Sequence, residues 1–189
     1  NVDSGKIASL NLKQEEYFFD WDSLASNTVI SQGFNYQLIV PSTFNNQQST
    51  EFFVTQTVNS ISQNASSQDA YTLAKSLSDF LRLGDDTFNF SLFHTPVPRP
   101  TGQDVTYYVL QNGIGQCKDY NAAFVTMARI AGLPARYVTG YVGGEWNGAG
   151  YTVSTNDYSS WGEVKLSFVT GSGEIDLGWV PFDSCPDSE

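Results

Sequence analysis

One cysteine stands where chemistry is possible. In Gly115-Gln116-Cys117-Lys118-Asp119-Tyr120 a glycine-bearing turn runs into an amphipathic helical pattern, which places Cys117 at a helix start. Backbone N–H groups there point outward without helical partners and the helix dipole favours negative charge, so a thiolate is stabilised relative to a thiol. A cysteine nucleophile needs that environment, and it also needs a base to take and return a proton and a group to orient the base. The bland reading of Cys117 is a buried structural thiol. His94 is the only histidine; it stands just ahead of the proline-rich segment 96–100 and could act as a base only by swinging in from a loop. Cys185, the second cysteine, has three open fates: a free thiol, a bridge to another chain, or a bridge to Cys117, the bridged forms requiring an oxidising compartment.

The chain around this segment has 189 residues, enough for one domain with an N-terminal extension, and it carries 13 Phe, 10 Tyr and 4 Trp, enough to fill a core. Twenty acidic against 9 basic side chains give a formal net charge of −11, so no electrostatic footprint for nucleic acid exists. No apolar run approaches the roughly 20 residues of a spanning helix, and no signal-peptide pattern opens the sequence. The chain begins at Asn1 and is read as a soluble fragment of a longer protein. Few lysines, many Asn, Ser, Thr and Gln, and two glycosylation-type sequons (Asn64-Ala65-Ser66 and Asn89-Phe90-Ser91) lean towards an extracytoplasmic setting. The acidic residues show no calcium-loop spacing, so neither a metal nor a cofactor is expected.

The elements that must position Cys117 are read from periodicity. Residues 1–35 lack sustained periodicity and are expected to form an extension or linker, with residues 36–189 forming the domain. Phe52, Phe53, Val54, Val58 and Ile61 mark a first helix; Ala70, Leu73, Ala74, Leu77, Phe80 and Leu81 mark a second, with Ser67 as the expected N-cap and Gly84 after its end. The prolines at 96, 98 and 100 keep that stretch extended or turning. A run from Val105 to Leu110 follows, then Gly113 and Gly115. The helix opening at Cys117 buries Tyr120, Phe124, Met127, Ala128 and Ala131 and stops at Gly132-Leu133-Pro134. Strands are expected over 135–141, 151–155, 161–168 and 179–182, between glycine- and asparagine-bearing turns. Helices followed by a run of strands imply an α+β fold with an antiparallel sheet.

From about residue 36 to 186 the sequence resembles the transglutaminase-like superfamily, most closely the extracytoplasmic domains of that kind in prokaryotic membrane proteins. The resemblance rests on the order and spacing of several blocks: the proline-rich approach followed by Asp104-Val105-Thr106-Tyr107, the Gly115–Phe124 block around the cysteine, Arg129-Ile130-Ala131-Gly132-Leu133-Pro134-Ala135-Arg136-Tyr137-Val138-Thr139-Gly140-Tyr141, Trp161-Gly162-Glu163-Val164, and Gly178-Trp179-Val180-Pro181-Phe182-Asp183. It implies a papain-like thiol fold, helices packed on an antiparallel sheet, with Cys117 at the nucleophile position and Asp183 at the aspartate position. Where the family has a His-Ala-Trp-Val-Glu type of block, this chain reads Ser159-Ser160-Trp161-Gly162-Glu163, so Ser159 occupies the histidine position. A serine hydroxyl cannot hold a proton taken from a thiol at neutral pH, whereas imidazole can. Strand alternation places Ser159 on one face with Trp161, Glu163 and Lys165, opposite Val164, Leu166 and Phe168. Trp161 and Trp179 read as core or cleft-wall residues, and Arg136 as the partner of a carboxylate beneath the sheet.

The resemblance implies acyl transfer or amide hydrolysis through a Cys117 thioester, impaired by loss of the histidine, in a domain of an exported or cell-surface protein whose parent is anchored in a membrane outside this segment. Its implied partners are peptides or proteins. The competing reading is an inactive module that keeps the fold to bind a peptide or a partner protein, or to serve a structural role at a surface. The family geometry also brings residues 117 and 183 near one another, which makes a bridge from Cys185 that blocks the nucleophile conceivable.

Overall fold

The structure is a computed structural model that describes residues 28–30, 47–66, 68–85, 88–93, 99–100 and 103–186. Its elements, in chain order, are β1 (Thr28–Ile30), α1 (Gln47–Asn64), α2 (Ala70–Leu83), β2 (Ser91–Leu92), α3 (Val105–Asn112), β3 (Ile114–Gly115), α4 (Cys117–Ile130), β4 (Ala135–Tyr141), β5 (Glu145–Trp146), β6 (Tyr151–Thr152), β7 (Tyr158–Thr170) and β8 (Gly173–Phe182). The α+β architecture expected from the sequence is present. Two compact units are distinguished: one contains residues 139–159, and the other residues 25–138 and 160–189.

The helices form where caps and apolar spacing agree. Ser67, the expected cap of the second helix, lies outside the described residues. The cap is Asp69, whose carboxylate accepts from the Thr72 N–H at 2.9 Å, and α2 therefore begins at Ala70. Val105–Asn112 is helical although it is rich in β-branched and aromatic residues. Asp104 caps it by accepting from the Tyr107 N–H, and Gly113 ends it in the left-handed conformation at φ 67°. Here capping outweighs intrinsic propensity, which is a weak prior. The helix α4 is the axis of the larger unit, packing against α1, α2 and α3. Tyr120, Ala123, Phe124, Met127 and Ala128 are fully buried along it, whereas Ala131 lies past its end as the C-cap. Each such large side chain removed from water is worth about 1.5–3 kcal/mol, so this one stripe anchors the helix.

The sheet centres on β7, which pairs antiparallel with β1 and β8 and neighbours β4. A two-residue turn, Gly171-Ser172, joins β7 to β8, with Thr170 opposite Gly173. Strand β4 spans the expected 135–141, β7 and β8 run longer than the alternation suggested, and β6 is shorter. Ser160, Gly162, Val164 and Leu166 are buried, while Ser159, Trp161, Glu163 and Lys165 on the opposite face are half-buried, as the alternation predicts. A register shift between Leu166 and Ser167 breaks the pattern, leaving Ser167 buried and Phe168 only half-buried. Gly162 lets the sheet and α4 approach closely: a Cβ at that position would collide with the Phe124 ring, which also packs 5.4 Å from the Phe182 ring. On the other face Arg136 donates to the Glu163 carboxylate at 2.6 Å and lies over the Trp179 ring at 4.2 Å, while Trp161 donates to the same carboxylate.

Within 139–159, β5 and β6 form a small antiparallel ribbon. Trp146 packs on Tyr151 and Tyr141 on Tyr158, with ring centroids 5.1 and 5.5 Å apart.

A short parallel pair, β2 and β3, leads the chain into α4. The buried Tyr120 hydroxyl ties the helix to it, donating to the Ser91 carbonyl at 2.8 Å and lying 3.2 Å from the Gly113 carbonyl. Burial pushes the Tyr120 hydroxyl up to about 12, and the Asp119 charge adds to the shift. Because the folded value is raised, this group's contribution is complete below the unfolded tyrosine value near 10 and is lost as pH rises through 12. Urea unfolding at about pH 9 and about pH 11 is therefore expected to show a steeper loss of stability for the wild type than for Tyr120→Phe. Equal losses would mean that Tyr120 is not the group responsible.

Candidate functional site

The site is built at the start of α4. Gln116 is the N-cap, extended at φ −93° and ψ 162°; its own N–H donates to the Asp119 carboxylate at 2.9 Å, and its carbonyl accepts from the Asp119 N–H at 2.8 Å. This reciprocal arrangement fixes the first turn and presents Cys117 as the first helical residue, half-buried. The sulfur of Cys117 is bonded to the sulfur of Cys185, their Cα atoms 4.6 Å apart across a sequence separation of 68. Of the three fates open to Cys185, the structure holds the internal bridge.

Cys185 belongs to the segment that follows β8. There Asp183 is exposed, and its Oδ1 accepts from the Cys185 N–H at 3.1 Å and from the Asn121 side-chain amide at 3.2 Å. Asn121, one turn beyond Cys117, is fully buried. The same amide nitrogen donates to the Ser160 carbonyl of β7 at 2.8 Å, and its oxygen accepts from the Ser184 N–H at 2.8 Å. Ser78 of α2 adds a further tie: its hydroxyl donates to the Asp183 carbonyl at 3.3 Å and lies 2.9 Å from the Ser184 hydroxyl. One buried asparagine thus joins the helix carrying Cys117, the strand carrying residues 159 and 160, and the segment carrying Asp183.

The sequence-predicted residues distribute as follows. Cys117 and Asp183 belong to one hydrogen-bonded and disulfide-linked cluster in the larger unit. Ser159 lies on β7, directly before the Ser160 carbonyl that Asn121 holds. His94 lies outside the described residues. Among the described residues, no three His, Cys, Asp or Glu side chains gather as a metal site. Asn121, Ser78 and Ser184 were not singled out by sequence reasoning. The signal for Asn121 was available, because an amide inside an otherwise apolar helical stripe is disfavoured unless its side chain finds specific partners.

This arrangement, with a cysteine opening the central helix and a carboxylate just after the last strand of the sheet brought to that helix, defines a class. The chain belongs to the transglutaminase-like superfamily, whose family model matches residues 55–184. It is 30% identical over 115 residues to the uncharacterized protein YebA of Bacillus subtilis strain 168, a match covering 58% of this chain. It is 40% identical over 98 residues to a protein-glutamine gamma-glutamyltransferase of Pseudomonas aeruginosa, covering 51% of this chain. Each match spans 14% of the relative's own length. Among solved structures, the periplasmic domain of TgpA from Pseudomonas aeruginosa aligns with a TM-score of 0.53 and 26% identity, covering 78% of this chain and 44% of that one. The same domain bound to ethylmercury aligns at 0.50 and 25%, with 78% and 46% covered. Among the described residues, no helix is long and apolar enough to cross a membrane.

Proposed function

We propose that this chain is a transglutaminase-like module of an extracytoplasmic protein that carries out no acyl transfer at amide bonds and instead serves as a binding module for a peptide or protein partner. The observation that carries this reading is the bond between Cys117 and Cys185. A disulfide sulfur is not a thiolate and cannot attack a carboxamide carbon. Reduction alone does not complete the machinery. Amide cleavage needs a proton taken from the thiol and delivered to the departing nitrogen, and the hydroxyl of Ser159 cannot hold that proton at neutral pH. One oxygen of the Asp183 carboxylate, Oδ1, accepts from the Asn121 amide and the Cys185 N–H. A disulfide also fits an oxidising compartment, which agrees with the periplasmic origin of the aligned domain.

The test is incorporation of a fluorescent primary amine into a glutamine-containing peptide, together with peptide hydrolysis, by the oxidised and the reduced chain alongside Cys117→Ala. Wild type and variant are expected to match in both states. Triad deletions elsewhere lower rates by roughly 10⁴-fold or more. Turnover that requires Cys117 would show the module to be an enzyme, and appearance of turnover only in reduced Ser159→His would show that the base alone was missing.

A further inference from the structure

From the bridge and its setting we infer that Cys117 and Cys185 form a thiol–disulfide exchange site, whose substrates are thiols and disulfides rather than amides. The inference rests on the reading above, that the position expected to move protons is a serine. A group unable to deliver a proton rules out nitrogen leaving groups, but a sulfur leaving group departs as a thiolate and needs no acid. The site retains what such chemistry does require: a disulfide between two half-buried residues, with one sulfur at a helix start that favours its anion.

The exchange balances as follows. An external thiolate attacks the Cys185 sulfur and forms a mixed disulfide; the bond between the two protein sulfurs breaks, and its electron pair leaves on Cys117 as a thiolate. A second external thiolate attacks the external sulfur of that mixed disulfide, forming the small-molecule disulfide and releasing the Cys185 thiolate, which takes a proton from water. Two thiols are oxidised to one disulfide while the protein bridge is reduced to a dithiol, and the reverse reaction oxidises the dithiol. Attack is directed at Cys185 because the sulfur whose anion is better stabilised leaves faster, and Cys117 is the one that opens a helix. Charged neighbours act in both directions: Lys118, directly after Cys117, favours its anion, whereas the Asp119 carboxylate, held by the Gln116 N–H, and the Asp183 carboxylate, held by Asn121 and Cys185, oppose it.

The oxidised chain is to be incubated with reduced glutathione under native conditions, quenched with acid and mapped by peptide mass. Glutathione is expected on Cys185 with Cys117 free. Glutathione on Cys117 alone, or a bridge that survives while the denatured chain is reduced, would overturn the proposal. A second measurement compares alkylation by iodoacetamide at mildly acidic pH of Cys117 in Cys185→Ser and of Cys185 in Cys117→Ser. A thiol whose anion is favoured gains more in thiolate fraction at mildly acidic pH than it gives back in nucleophilicity, so Cys117 is expected to react faster than Cys185. Equal rates would also overturn it. Amine incorporation measured on the same samples reports separately on the proposed function, so failure of one reading is distinguishable from failure of the other.

Discussion

Cys185→Ser is expected to lower the thermal midpoint by roughly 8–16 °C. The bridge joins residues 68 apart, and in the chain-entropy description closing a loop of that length restricts the unfolded chain by about 4 kcal/mol. For a domain of this size each kcal/mol moves the midpoint by roughly 2–4 °C. The span of the loop makes the effect large: in the unfolded chain the bridge restricts the whole stretch that forms α4, β4, β7 and β8. Wild type held under reductant should reproduce the midpoint of Cys185→Ser, since both have lost the same link. If circular dichroism melts of the oxidised wild type, the reduced wild type and the variant coincide, the bridge contributes nothing to stability and its role is chemical only.

How much of this was legible in the sequence varies with how local the cause is. Cys117 at a helix start could be read, because the turn residues and the apolar stripe of Tyr120, Phe124, Met127 and Ala128 lie within one short stretch. The alternation of β7 could be read up to Leu166 and failed at Ser167, because a bulge answers to the pairing with β8 rather than to the residues of β7 alone. The helix at 105–112 was hidden because its composition favours a strand, and only Asp104 and Gly113 at its ends mark it. The pairing of Cys117 with Cys185 was one of three open possibilities. Nothing in a sequence separation of 68 reveals a Cα distance of 4.6 Å; that closeness comes from the segment after β8 folding back onto α4. What brings it there is a buried hydrogen-bond network. Apart from Asn121, an amide on an apolar helical stripe, the network leaves little trace in the sequence, because serines such as Ser78 and Ser184 look alike whether they are solvated or satisfied in a core.

The exchange chemistry and the structural tie meet in that network. The Ser184 N–H and the Asp183 carboxylate are held by Asn121, so the backbone on which Cys185 sits is fixed by contacts other than its own disulfide. A reduced chain therefore keeps Cys185 near Cys117, as a reversible dithiol requires, instead of releasing it into solvent.

Asn121→Leu is expected to cost about 3–5 kcal/mol, because it keeps the approximate volume and removes every polar function at a fully buried position. The Ser160 carbonyl and the Ser184 N–H would then be buried without the partner each has now, and each such orphan costs about 1–3 kcal/mol. The Asp183 carboxylate would lose one of its donors but keep the Cys185 N–H, and it is exposed enough for water to replace the lost bond. Asn121→Asp separates the hydrogen-bonding role from the packing. It retains the acceptor for Ser184 but removes the donor to Ser160 and sets a second carboxylate against Asp183. Burial and the neighbouring charge raise the folded-state pKa of such an aspartate above its unfolded value, so the variant is most destabilised above the folded value and regains stability as pH falls through it towards the unfolded value near 4. Denaturant midpoints at neutral and mildly acidic pH should thus converge on wild type for Asn121→Asp and stay depressed for Asn121→Leu. Wild-type stability in Asn121→Leu would show that the network forms without contributing to stability, and the segment carrying Cys185 would then be held by its disulfide alone.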